Sequence, residues 1–415
     1  MSDPSSASTS ASGSRRPISP KRRIRIFRIL LSLTALFFGL AIAEGSLRFV
    51  ERMKTGDRLI EDKLIQDPVL GFKLAPNTQG HDANGFRNAT VPQQVDVVCL
   101  GDSQTWGVNV GRQDAWPEQL SRMSGRRVYS MALGGFGPVQ YQALMPQALH
   151  LSPKLVIVGL YFGNDIYDAY HMAYQYESHR SLRSTSAGDD LSVDTVGSRA
   201  RALSATEKQF HANFGRSSIS GWSFWLREHL ALGRLLNRAG LWPGSADVDY
   251  EIDKRWAAIY PDQGAVCEEP GVETVLTPAY RLTGLDTDDP RIVEGLRITK
   301  ELLAQMQREI DGSQVKLMVL LIPTKETVYA TARPGSADSN STYKRVVEME
   351  SQVRAEILSA CQAERIQCVD VLPRLSAAVA QGERLYPTTT ESHPNARGYS
   401  VIAAAANENL GKLGL

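Results

Sequence analysis

Four short stretches carry residue types that, brought together, perform acyl transfer. Gly101-Asp102-Ser103-Gln104-Thr105-Trp106-Gly107 follows an apolar run and offers a serine hydroxyl. If a helical turn starts there, the Ser103 amide and the positive end of the turn favour a negative charge developing in front of them. Gly134-Gly135-Phe136-Gly137 is a loop able to bring a backbone amide close, because glycine tolerates unusual dihedrals. Gly163-Asn164-Asp165 supplies a side-chain amide donor, and Ser392-His393-Pro394-Asn395 supplies an imidazole. A nucleophile, a general base and three oxyanion donors are the parts that a tetrahedral intermediate requires.

The elements that must position these residues follow from the hydrophobic pattern. Five apolar runs of strand length stand at Asp96 to Leu100, Arg127 to Met131, Lys154 to Leu160, Val315 to Ile322 and Gln367 to Val371. Amphipathic helices fit between and after them at Trp116 to Met123, Pro138 to Leu149, Arg291 to Ile310, Tyr343 to Ala360 and Ala396 to Leu410. This alternation predicts an α/β fold: a three-layer α/β/α sandwich on a mainly parallel, flavodoxin-like five-stranded sheet. The four stretches then fall at carboxyl ends of strands or on the return loop, where open α/β sheets place their ligands. The interval from Ile166 to about Pro290 breaks the rhythm and reads as an insertion. Within it Trp222, Trp225, Leu226, Leu230 and Leu236 recur at helical spacing, with Trp242 and Trp256 nearby. They are expected to pack the insertion onto the core; a lid or sugar-stacking surface is the sharper alternative.

In their order and spacing these blocks resemble the SGNH (GDSL-type) hydrolase family, whose blocks are G-D-S, a glycine, G-x-N-D, and D-x-x-H or D-x-H near the end. The resemblance runs from about Asn84 to Leu410, interrupted by the insertion. It implies that Ser103 is the nucleophile and its amide one oxyanion donor, that Gly135 gives the second amide and Asn164 the side-chain donor, and that His393 is the base. Asn84-Gly85-Phe86-Arg87-Asn88 and Ile322-Pro323-Thr324-Lys325-Glu326 also look like segments of membrane-associated members, where a structural role is expected. Two positions depart from the family pattern. Ser130 stands where the second block has asparagine, and the acid position before the histidine holds Glu391, with Thr390 at the other common position. Pro394 biases His393 toward an extended conformation, in which residues two apart share a side, so Glu391 rather than Thr390 is expected to orient the imidazole. The implied activity is hydrolysis of carboxylic esters through an acyl-enzyme on Ser103, with no metal or organic cofactor. The same acyl-enzyme passing to a sugar hydroxyl makes an O-acyltransferase, and the two departures leave a third reading, a membrane-tethered binding protein without catalysis.

The remainder of the chain bounds location and partners. In 415 residues, 42% hydrophobic and 22% charged, the net charge is only +1, so no basic field marks a nucleic-acid partner. Residues 1–23 form a Ser-, Ala- and Pro-rich tail ending in basic residues, expected to be disordered. Residues 24–50 carry an uncharged core from Ile29 to Ala43 that reads as a transmembrane signal anchor. Ala41-Ile42-Ala43 makes a cleavable signal peptide the competing reading. Both put the bulk of the chain outside the cytoplasm, because the positive cluster precedes the apolar run. Residues 51–94 are expected to be a linker and lead-in, and 95–415 the hydrolase domain with its insertion at about 166–290. Expected partners are a membrane and an ester-bearing small molecule, glycan or lipid. Cys99, Cys267, Cys361 and Cys368 are too few for a disulfide scaffold, and His171, His179, His211 and His229 form no metal-ligand set. Cys361 and Cys368 bracket a short link and can bridge in an oxidising compartment; two reduced buried thiols are the alternative.

Overall fold

The apolar runs become strands because each is short, and the three inner ones, Val97–Gly101, Leu155–Tyr161 and Lys316–Ile322, are rich in Val, Ile and Leu and buried along nearly their whole length. In the computed structural model, which describes residues 20–54, 63–184, 189–218, 230–238 and 248–414, they form β1 (Val97–Gly101), β2 (Val128–Ala132), β3 (Leu155–Tyr161), β4 (Lys316–Ile322) and β5 (Gln367–Asp370). The order across the sheet is β2-β1-β3-β4-β5 and every pair is parallel. Each strand lies within one residue of its expected span. Val98, Leu100, Val158 and Val319 face one core with the helices Asp165–Gln175, Pro290–Ile310 and Ser341–Ala363. Val97, Cys99, Ile157 and Leu320 face the other, with Trp116–Ser124, Lys325–Ala332, Leu372–Ala380 and Ala396–Leu410. Alternation along each strand thus feeds two cores, which is why the strands read as continuous apolar runs.

Two helical details differ from the expected pattern. The helix expected from Pro138 to Leu149 is two, Pro138–Ala143 and Met145–His150, with Pro146 in the first turn of the second. Proline there lacks the N–H that would continue the first helix. Lys325–Ala332 and Leu372–Ala380 are additional helices. The first buries Lys325, Glu326 and Thr327 beside Val328 and Tyr329, so it shows no apolar stripe in the sequence.

The chain divides into two compact units, Met1–Met53 with Trp225–Trp242, and Lys54–Phe224 with Pro243–Leu415. The lead-in is part of the larger unit. Leu64–Asp67 and Gly71–Leu74 form a hairpin, and Leu74 and Phe86 enter the core. Arg87 donates to the carbonyls of Trp106 (3.0 Å), Gly107 (2.8 Å) and Val110 (2.9 Å), so the lead-in holds the end of the turn that carries Ser103. The described insertion contributes the helices Thr195–Ser218, Val248–Ile259 and Pro278–Thr283 and a hairpin of Ala265–Cys267 with Thr274–Leu276. Trp256 is buried against Ala257 and Val275, whereas Trp222, Trp225, Leu226 and Trp242 lie outside the described residues. Sγ of Cys361 and Sγ of Cys368 approach to 2.8 Å as free thiols.

In the smaller unit, Pro20–Lys54 is one helix. Its stretch Phe27–Arg48, 22 residues of mean hydropathy 1.8, has no buried side in this structure and is long and apolar enough to cross a membrane. The Glu44 carboxylate accepts from the backbone N–H groups of Ala231 (2.8 Å) and Leu232 (2.9 Å), the first turn of a short helix, Ala231–Arg238, on which Leu236 is half-buried.

Candidate active site

Ser103, the expected nucleophile, is placed by a strand that turns at once into a helical turn. β1 ends at Gly101, where a Cβ would collide with Thr105 Oγ1, so only glycine lets the chain fold back this tightly. Asp102 caps the turn Ser103–Trp106 by accepting from the Gln104 amide at 2.9 Å. Ser103 follows the cap, half-buried, with Oγ 3.4 Å from Asp102 Oδ2 and 2.8 Å from His393 Nε2.

His393, the expected base, lies on the loop before Ala396–Leu410. His393 Nδ1 lies 2.6 Å from Glu391 Oε1, and the same oxygen accepts the His393 backbone N–H at 3.0 Å. A carboxylate only accepts, so the ring proton sits on Nδ1 and leaves Nε2 a lone pair for the Ser103 hydroxyl proton. Burial pushes the Glu391 carboxyl up, but the hydrogen bond and charge of His393, its backbone N–H and the charge of Arg281 together hold it at about 2. Glu391 therefore remains an anion at any pH where the imidazole works. The extra methylene of glutamate lets one carboxylate oxygen meet both the ring Nδ1 and the backbone N–H of the histidine two residues on. Thr390 turns its backbone N–H to Asp253 Oδ2 instead, at 2.7 Å.

The other expected oxyanion donors, Gly135 and Asn164, lie on two further loops. A Cβ on Gly134 would stand 3.7 Å from Ser103 Cβ, so this loop runs directly over the nucleophile. Gly135 has φ +82°, the left-handed region that favours glycine, and is exposed. Asn164 precedes the helix Asp165–Gln175 and its Nδ2 donates to Asp168 Oδ2 at 2.6 Å. Ser130 is buried on β2, and the Asn88 side chain pairs with its backbone N–H (3.1 Å) and C=O (2.8 Å).

Behind the serine lie three carboxyl groups whose burial disfavours ionisation. Asp102 is raised to about 6 by burial, offset in part by the Gln104 N–H, the charge of His393 and hydrogen bonds from Ser103 and Asn164. Asp168 is raised to about 8 by burial, which the Asn164 hydrogen bond opposes and the charge of Asp102 reinforces. Asp165 accepts from the Tyr161 N–H at 2.9 Å and from Tyr141 Oη at 3.1 Å; it is raised well above the carboxylate range, by burial first.

The residues that hold the base loop were not visible as site residues in the sequence. Lys325, Thr274, Arg281 and Asp253 come from four separate segments, and only Lys325 sat in a stretch singled out beforehand. Asp168, by contrast, had a readable signal, since it lies one helical turn after Asn164. Of the other histidines, His171 contacts Tyr167 Oη (3.2 Å), His179 the Val69 carbonyl (2.7 Å) and His211 Asp253 (2.7 Å), while His229 lies outside the described residues. Among the described residues, no group of three or more His, Cys, Asp or Glu side chains is placed to hold a metal ion.

The G-D-S, glycine, G-N-D and histidine blocks converge on one point at the carboxyl end of a β2-β1-β3-β4-β5 sheet. This convergence is what the resemblance of the four blocks to SGNH (GDSL-type) hydrolases leads one to expect. No family model matches the sequence, and no curated protein matches it. Solved structures that resemble it include the extracellular lipase from Streptomyces rimosus, 13% identical with a TM-score of 0.37, over 77% of this chain and 100% of that one. A GDSL-like lipase from Bacteroides thetaiotaomicron is 11% identical, TM-score 0.32, over 78% and 92% of the two chains. A member of the lipolytic G-D-S-L family from Veillonella parvula is 11% identical, TM-score 0.32, over 76% and 98%. At these identities, what the site can do follows from its own geometry.

Proposed function

We propose that the chain hydrolyses carboxylic esters through an acyl-enzyme on Ser103. The observation that carries this reading is the unbroken hydrogen-bonded sequence from Ser103 Oγ through the His393 ring to Glu391 Oε1, at 2.8 and 2.6 Å. His393 Nε2 takes the hydroxyl proton as Oγ bonds to the ester carbonyl carbon, and Glu391 stabilises the imidazolium that results. The carbonyl oxygen, now negative, is met by the amides of Ser103 and Gly135 and by the Asn164 side chain. Collapse of the intermediate breaks the ester C–O bond, and the leaving alkoxide takes the proton back from His393. Water, activated by the same imidazole, then cleaves the acyl-serine and restores the enzyme.

The substrate is an ester on a small molecule, glycan or lipid outside the cytoplasm. Phe27–Arg48 holds the chain to a membrane, and the basic residues from Lys21 to Arg28 keep the helix's N-terminal end on the cytoplasmic side. Fluorophosphonate labelling and a panel of p-nitrophenyl acyl esters test the activity. Wild type should label and turn over, whereas Ser103→Ala should lose labelling and at least about 10,000-fold in kcat. An unlabelled wild type, or an active Ser103→Ala, would sink the reading.

A further inference from the structure

The mechanism above uses Glu391 and His393 but leaves open what holds an irregular loop in the one phase that pairs them. Along residues 387 to 391, an irregular stretch with bends at 388 to 390, odd-numbered carbonyls and even-numbered backbone groups go to different partners. The odd-numbered carbonyls converge on one buried ammonium. Lys325 Nζ, on a side chain only 1% exposed, donates to the carbonyls of Thr389 (2.7 Å), Glu391 (3.1 Å) and, more distantly, Pro387 (3.4 Å). It reaches also to the Val275 carbonyl of the insertion hairpin at 3.1 Å. Thr274 Oγ1 reinforces the same side, on Pro387 O at 2.8 Å. The even-numbered groups face away: Thr388 O accepts the Val275 N–H at 3.0 Å, and the Thr390 N–H goes to Asp253 Oδ2 at 2.7 Å. A slip of one residue would turn even-numbered carbonyls toward the ammonium and carry Glu391 and His393 together out of line with Ser103, whose Oγ lies 2.8 Å from His393 Nε2.

A lysine buried in a polar core is otherwise costly, since burial disfavours its charge. Here burial draws the amine down to about 8, while the charges of Glu326, Glu391 and Asp253 hold it up and that of Arg281 opposes it. Four carbonyls for three N–H groups leave no donor unsatisfied. Arg281 acts one step further along, where its Nη2 donates to Ser392 Oγ at 2.7 Å.

We propose that Lys325 is the positioning residue of the triad: by binding the carbonyls of Thr389 and Glu391 it sets the phase of the loop that presents Glu391 to His393. This rests on the reading of Ser103, His393 and Glu391 as the catalytic set. It also assigns a role to the insertion, whose Val275, Thr274 and Asp253 complete the clamp.

The full-length protein tests it, with kcat and KM read separately on a p-nitrophenyl ester. Lys325→Met, close in shape but neutral, should lower kcat by roughly 10- to 100-fold with KM within about twofold. Lys325→Arg, which retains a charged donor, should recover part of that loss. The discriminating variant is Lys325→Met combined with Glu391→Gln. If the lysine acts only through Glu391, the double variant should be no slower than Glu391→Gln alone, within about threefold. Losses that multiply, or a folded Lys325→Met with wild-type kcat, would overturn the proposal. Should Lys325→Met not fold, Thr274→Val removes the second donor on the same carbonyls. It should lower kcat severalfold at unchanged KM, and wild-type kinetics there overturn the proposal equally. Ser103→Ala separates the two levels: full activity in that variant defeats the esterase reading itself, whereas an inactive Ser103→Ala beside a normal Lys325→Met defeats only the role of the lysine.

Discussion

The two halves of the proposed triad are held in opposite ways. Ser103 sits on a turn that is closed by local contacts and braced from outside only at its far end, by Arg87: Asp102 caps Gln104, Gly101 lets Thr105 fold back, and the Gly107 N–H closes on the Ser103 carbonyl at 3.0 Å. His393 sits on a loop whose own backbone bonds are few and whose partners lie far away in sequence, at Lys325, Thr274, Val275 and Asp253. The nucleophile is thus as stable as β1, a central strand of the sheet. The base is only as well placed as the tertiary contacts beneath it. Remote changes should accordingly weaken the base side first, through kcat, and leave the serine where it is.

The comparison breaks most sharply at Glu391. Glu391→Gln retains the fold but removes the charge that stabilises the imidazolium, and kcat should fall about 1,000-fold, with fluorophosphonate labelling slowed alongside. Full activity in this variant would mean a Ser–His pair or an acid from elsewhere. On the nucleophile side, Asn164→Ala removes a donor that acts on the oxyanion and not on the bound ester. The expected loss is about 100-fold in kcat with KM little changed, and normal turnover would take Asn164 out of the site.

The smallest effect expected is on stability against pH, and here the two sides have opposite signs. Asp168, raised from its ordinary 3.8 to about 8, binds its proton more tightly folded than unfolded. Its contribution is therefore present at low pH and is lost as pH rises from about 4 through 8. Glu391, lowered from 4.5 to about 2, contributes stability above about 4.5 that is lost as pH falls through 2. Thermal unfolding of Asp168→Asn between pH 5 and 9 should show a flatter decline than wild type. An identical slope would mean that the Asp168 carboxyl is not protonated in the native state.

Much of this molecule was legible from one dimension. The five apolar runs located β1 to β5 to within a residue, because a two-sided parallel strand needs an uninterrupted apolar stretch and its ends are marked by polar residues or glycine. Placing Ser103, the glycine loop, Asn164 and His393 at the strand ends required only their position after those runs. Asn395 accepts from the Arg397 and Gly398 amides at 2.9 and 3.0 Å, a cap whose spacing is also written locally. The choice of Glu391 over Thr390 came from the two-residue period of an extended chain. What only the tertiary structure decided is what holds that loop, bent at 388 to 390, in that phase. The carbonyls of Thr389 and Glu391 accept from an ammonium more than sixty positions away, and Thr390 donates to a carboxylate on the insertion. A peptide group carries no sequence signature of its partner, and the helix that delivers Lys325 buries its polar residues, so neither periodicity nor composition announces it. Local rules reach as far as the next turn of the chain; the base of this site is held by segments that meet only once the two cores have closed.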